Sequence, residues 1–166
     1  MRDSPTQIEI ARAELTRSYG LSDYEAVDVA WVAIVKVGNT RTEPNEHKRL
    51  VALLDSAAEG AVRELLMLPG VDVLLNIQPP LETILTSTHE RLDAERTASE
   101  LDIVRQSRKS DPKAALLALA EIMKRIRNRR AHGFKTPYAP RDQEILGAAA
   151  PVLRAIGEVA IHAAGT

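Results

Sequence analysis

Apolar residues recur at helical spacing along most of this 166-residue chain. Aliphatic positions three and four residues apart line one face of a helix, so this pattern indicates amphipathic helices. It predicts a helix over about 5–18 and a second over about 22–37. A long third helix is predicted over about 45–68, with a kink at Gly60 and an end at Pro69-Gly70.

The second half of the chain continues the helical pattern. Pro79-Pro80 is predicted to begin a helix whose charged middle, residues 89–100, faces solvent. Ser110-Asp111-Pro112 is a strong start signal, because it places proline at the first helical position after a capping residue. A last apolar helix is predicted from about Arg141, with a kink at Pro151.

The run Val71–Ile77 is the one stretch short and β-branched enough for a strand. Since no second stretch is available to pair with it, we interpret it as a buried connector. Aromatic residues make up only 3% of the chain, and an aliphatic, alanine-rich composition favours helix over sheet. The sequence therefore predicts an all-α bundle of about five or six helices, in one domain spanning residues 1–166.

Composition also limits the location and the chemistry. The chain has no cysteine, which excludes a disulfide framework and a thiolate metal site. No apolar run follows the first five residues, and no stretch approaches the about 18 apolar residues of a membrane span. We therefore expect a cytoplasmic protein with no membrane partner. The histidines lack metal-ligand spacing and no glycine-rich phosphate loop is present, so no metal or cofactor is expected.

Positive charge is concentrated in one part of the chain. The formal net charge is −1, so the chain as a whole does not attract nucleic acid. From residue 113 to residue 141, however, eight basic residues face a single acidic residue, Glu121. Such a local concentration indicates a site better than a general polyanion-binding surface. The basic residues are Lys113, Lys124, Arg125, Arg127, Arg129, Arg130, Lys135 and Arg141.

This basic stretch contains three residue types that phosphodiester chemistry uses: Arg127, Asn128 and His132. An imidazole exchanges protons near physiological pH, so His132 is a candidate general acid or base for a ribose 2′-hydroxyl. The permanently charged guanidinium of Arg127 suits the charge that grows on phosphorus in the transition state. The amide of Asn128 is suited to orient the histidine or the phosphate.

A straight helix does not bring these three side chains together. Asn128 and His132 share a face, whereas Arg127 and His132 lie roughly 140° apart. Either the helix distorts or ends near Arg130, or a second copy of the chain completes the site. A two-fold dimer would bring two arginines and two histidines into one cleft and would also supply a second proton-transfer group.

The motif resembles the signature of the HEPN family (higher eukaryotes and prokaryotes nucleotide-binding domains). The matching residues are Arg127-Asn128-Arg129-Arg130-Ala131-His132: an arginine, a polar residue, and a histidine after four intervening positions. Gly133, Lys135 and Arg141-Asp142 extend the resemblance, which covers about residues 112–160. It implies an up-and-down helical bundle that dimerises with the motif lining the dimer cleft.

The same resemblance implies an activity. Many family members are metal-independent endoribonucleases that cut RNA through the 2′-hydroxyl, often as toxins or defence effectors. Arg127 and His132 would be catalytic, with Asn128 as the supporting polar residue. The expected partners are RNA, a second copy of the chain, and an antitoxin or defence-system protein. Phosphate positioning, or simple solvated charge, is assigned to the neighbouring cations Lys124, Arg125, Arg129, Arg130 and Lys135.

One departure and three alternatives remain. Relatives paired with nucleotidyltransferase antitoxins often carry a tyrosine two residues after the histidine, where AMP is attached; here that residue is Phe134, and Tyr138 is a poor substitute. Cations before a glycine also suit an ordinary helix C-terminus. A non-catalytic module that binds a nucleotide or a partner is the second alternative, and a purely structural helical bundle is the third.

Overall fold

The computed structural model of the chain describes residues 6–83, 91–132 and 140–165; for residues 83, 91–93 and 129–132 it describes the backbone alone. Within these ranges all regular structure is helical, which confirms the predicted all-α class, and the eight α-helices exceed the predicted five or six. They are α1 (Gln7–Ser18), α2 (Asp23–Gly38), α3 (Glu46–Asp55), α4 (Glu59–Leu66), α5 (Pro69–Asn76), α6 (Arg91–Ser107), α7 (Pro112–His132) and α8 (Pro140–Gly165), with a 3₁₀ turn at Leu81–Thr83.

The long helix α8 forms the centre of the bundle. It contacts α1, α2, α3, α4, α5 and α7, and it is continuous through the exposed Pro151. Small residues let its neighbours approach closely. A β-carbon added to Gly70 of α5 would lie 2.3 Å from the carbonyl oxygen of Ala148, and one added to Gly157 would lie 2.9 Å from a methyl group of Leu15.

By length and composition alone, α8 is also the one helix of the described chain that is long and apolar enough to cross a membrane. In the fold, 61% of its most apolar window is buried inside the bundle. On the face of α8 that packs into the bundle, no part of Ile145, Leu153 or Ile156 is exposed to solvent. This burial is typical of a core helix.

Helices α2 and α7 begin with side-chain caps at their predicted starts. The side chain of Ser22 accepts a hydrogen bond from the backbone N–H of Glu25, which starts α2. The carboxylate of Asp111 accepts from the N–H of Ala114 at 3.3 Å, and Pro112 is the first residue of α7. Such caps satisfy backbone donors that have no partner inside the helix.

The predicted long helix over 45–68 is wrong in one respect. The chain breaks at residues 56–58, between α3 and α4, and not at Gly60. The hydroxyl of Ser56 donates to the carbonyl of Leu53 at 2.7 Å, and the backbone N–H groups of Ser56 and Ala57 bond three residues back. These tighter bonds close the last turn of α3.

The prediction of a buried connector at 71–77 is also wrong, because α5 occupies Pro69–Asn76. Proline fits the first turn of a helix, because the N–H that it lacks would have no partner inside the helix there. Pro69 therefore begins α5, whereas the sequence pattern predicted only the end of the preceding helix. The buried residues Val71, Leu74 and Leu75 have helical spacing.

The helix predicted from Pro79-Pro80 differs as well. Within the described residues, a 3₁₀ turn at Leu81–Thr83 follows these prolines and α6 spans Arg91–Ser107; residues 84–90 lie outside the described residues. The prediction that residues 89–100 face solvent is wrong for two positions, since Thr97 is fully buried and the side chain of Glu100 is only 17% exposed.

Exchange of Gly70 for alanine tests the close contact between α5 and α8. The added methyl group would overlap the Ala148 carbonyl, and we expect Gly70→Ala to lower the free energy of unfolding by about 2 kcal/mol or more. Gly60→Ala is the matched control, because nothing lies within 4 Å of its added carbon. That change should leave stability unchanged or raise it by up to about 1 kcal/mol. Urea denaturation measures both; equal stabilities would contradict this packing.

Candidate functional site

Helix α7 carries the motif out of the core. Its first four turns are anchored by apolar side chains, and Leu119, Met123 and Ile126 are at most 1% exposed. Beyond Ile126 the sequence turns basic and the helix runs on to His132. The motif therefore stands at the end of a helix whose opposite end is fixed in the bundle.

Arg127 is held by a residue from another helix. Its Nε donates to the carboxylate Oδ1 of Asp28 in α2 at 2.9 Å, and the two side chains are each 31% exposed. Its Nη1 donates more weakly, at 3.4 Å, to the amide oxygen of the exposed Asn128. The predicted pair Arg127 and Asn128 is thus in contact at the protein surface.

Asp28 was not predicted as part of the site. The sequence does contain a signal: Asp28 is the only charged residue between Glu25 and Lys36, in an otherwise apolar stretch of α2. A single carboxylate in such a stretch calls for a partner, because an unpaired charge near a core is costly. The sequence does not reveal which of its many cations that partner is.

Helix α7 extends as far as His132, which rules out the alternative that it ends near Arg130. At 3.6 residues per turn, positions 127 and 132 lie about 140° apart around the axis of this helix. Asn128 and His132 remain on one stripe, about 40° apart. The side chains of Arg129, Arg130 and His132, and the whole of Lys135, lie outside the described residues.

Arg125 faces the opposite side of α7 from Arg127. Its guanidinium contacts both carboxylate oxygens of Glu100 in α6, one of them at 3.0 Å, and it donates to the hydroxyl of Thr97 at 3.2 Å. Its side chain is only 14% exposed. This ion pair joins α6 to α7, and so we omit Arg125 from the residues proposed to contact phosphate. Lys124 is partly exposed on the Asn128 stripe.

The basic stretch is less open than its charge count implies. Of the five cations whose side chains the structure describes, four contact other parts of the protein: Lys113, Arg125, Arg127 and Arg141. Arg141 donates to the carbonyls of Gln78 and Pro79, at 2.5 Å for the former. The carboxylate of Glu121, the one acidic residue of the stretch, lies 2.9 Å from Nδ1 of His47 in α3.

A groove of about 600 Å³ lies between α4 and the second half of α8, and no residue of α7 lines it. The guanidinium of Arg154 stacks over the ring of Tyr19 at 5.1 Å. Burial, and then the nearby Glu158 carboxylate, raise the pKa of Tyr19 above its usual value.

Within the described ranges, no three histidine, aspartate or glutamate side chains lie close enough together to hold a metal ion.

Comparison of the chain with protein-family models, with curated proteins and with solved structures finds no match.

Removal of Arg125 tests whether its ion pair is structural. We expect Arg125→Gln to lower the free energy of unfolding by about 2 kcal/mol, because Glu100 would keep a largely buried charge without its partner. The control is Arg17→Gln, which removes an exposed pair with Glu14 and should cost less than about 1 kcal/mol. Chemical denaturation at neutral pH compares them. An Arg125→Gln chain as stable as its parent would rule out this role.

Proposed function

We propose that the protein is a metal-independent endoribonuclease of the HEPN type, with Arg127, Asn128 and His132 at its reactive centre. The observation that carries this proposal is the contact between Arg127 and Asn128 at the surface end of α7, with the Arg127 guanidinium already oriented by a neighbouring helix. An oriented cation is what a transition state with growing phosphate charge requires.

In this proposal each residue has one task. His132 takes the proton from the ribose 2′-hydroxyl, whose oxygen attacks the adjacent phosphorus and displaces the 5′-oxygen of the next nucleotide. Arg127 stabilises the charge on the phosphate oxygens during this step, and Asn128 orients the phosphate or the imidazole. The products are a 2′,3′-cyclic phosphate and a 5′-hydroxyl, and no bond to a metal is needed.

The divergence of Arg127 and His132 on one continuous helix supports a dimeric site. With the two positions about 140° apart, the arginine of one protomer and the histidine of its partner would act on the same phosphate. A dimer would also provide a second imidazole to protonate the leaving 5′-oxygen. We further propose a toxin or defence role in the cytoplasm, with an antitoxin or defence-system protein as its partner.

Cleavage of RNA in the presence of EDTA tests the proposal. The purified chain should cut single-stranded RNA and leave 2′,3′-cyclic phosphate ends, and RNA with a 2′-deoxynucleotide at the cleavage position should resist. Arg127→Ala and His132→Ala should each lower kcat by about 100-fold or more, because each removes a group that acts on the transition state. End-group analysis and single-turnover rates measure these changes.

Matched controls come from the same chain. His162→Ala removes an exposed histidine of α8, and Arg17→Ala removes an exposed arginine of α1; both should cut RNA at the parental rate. A requirement for a divalent cation, or unchanged cleavage by His132→Ala, would disprove this mechanism. If the chain bound RNA without cutting it, and Arg127→Glu but not His132→Ala abolished binding, the non-catalytic module would be the correct alternative.

A further inference from the structure

The ion pair between α2 and α7 assigns a task to a residue that the motif does not include. We propose that Asp28 is a positioning residue for Arg127: it fixes the guanidinium so that its outer edge is presented to the RNA phosphate. This inference rests on the proposed ribonuclease function and extends it to a second helix.

The backbone of Asp28 is rigidly held. Its neighbours Val27 and Ala30 are fully buried, and Trp31, one turn further along α2, is 4% exposed. These side chains pack α2 into the core, so the carboxylate of Asp28 is attached to a fixed support. Sites supported by rigid helices are more precise than sites supported by loops.

The contact leaves the correct edge of the guanidinium available. A guanidinium presents a side edge that includes Nε and an end edge formed by Nη1 and Nη2. Asp28 takes Nε, and Asn128 makes a weak contact of 3.4 Å with Nη1. Among the described residues, Nη2 has no hydrogen-bond partner. The end edge can therefore receive two phosphate oxygens, the fork geometry that arginine prefers.

The benefit of this contact is orientation before RNA arrives. An arginine side chain has many rotamers, and fixing one of them costs entropy at the moment of binding or reaction. An ion pair that is 31% exposed on both sides contributes little to stability. Preorganisation lets Arg127 act on the transition state without that cost.

The first arm of the test is kinetic. Asp28→Ala should lower kcat by about 10- to 100-fold, because a guanidinium displaced by about 1 Å can lower the rate by up to about 100-fold. KM should change by less than about threefold. Asp28→Asn keeps an oxygen for Nε and should retain more activity than Asp28→Ala. The control Asp72→Ala removes another ion pair, with Arg108 just after the end of α6, and should cut RNA at the parental rate.

A double-mutant cycle separates positioning from a general structural effect. In an Arg127→Ala background, Asp28→Ala should cause no further loss of kcat, since the group that it positions is already gone. If Asp28 had a purely structural role, Asp28→Ala would lower the activity in both backgrounds alike. It would also lower the thermal midpoint more than Asp72→Ala does.

The second arm does not need enzymatic activity. The NMR signal of the Arg127 Nε–H group is identified by its absence in Arg127→Lys. In the parental chain this proton should be protected from exchange with water, and in Asp28→Ala it should exchange rapidly. Equal protection in both chains would overturn the inference, and so would an Asp28→Ala chain that cuts RNA as fast as its parent. If the parental chain cuts no RNA, the ribonuclease proposal fails, and the NMR result still decides whether Asp28 orients Arg127.

Discussion

Close packing against α8 is the constraint on which the rest of the fold depends. Six helices contact this one helix, and at Gly70 the backbone of α5 comes so near Ala148 that a methyl group does not fit. Because glycine and alanine have little or no side chain, helices that cross at these residues can pack with a short distance between their axes. The core is thus built from small residues at the crossings and aliphatic residues between them, which explains how so few aromatic residues suffice.

The same packing gives α7 two different ends. Its apolar first part is fixed in the bundle, and its later part brings the partly exposed Arg127 and the exposed Asn128 to the surface. Arg125 and Arg127 show how strongly position decides the role of a residue. They are two positions apart and therefore on opposite sides of the helix, so that Arg125 joins α6 through Glu100 while Arg127 reaches Asp28 at the surface.

The periodic pattern predicts the all-α class and the apolar face of α8, and the capping residue and proline at 110–112 predict the start of α7. The predicted helix boundaries are wrong where one residue can act in two ways, for example by ending a helix or by beginning one. Pro69 ends one helix and begins another, and Ser56 ends a helix by a local hydrogen bond that no periodicity reveals. Contacts between distant positions were beyond reach: nothing in the sequence pairs Asp28 with Arg127, 99 residues away.

The single tryptophan of the chain lies one helical turn from the carboxylate that holds Arg127. Trp31 is buried in α2, and its fluorescence depends on the polarity and packing of its surroundings. The protein therefore contains a natural optical reporter on the helix that supports the motif. A ligand or partner that shifts α2 would change the emission of the unlabelled chain, so that occupation of the site can be followed without attaching a dye.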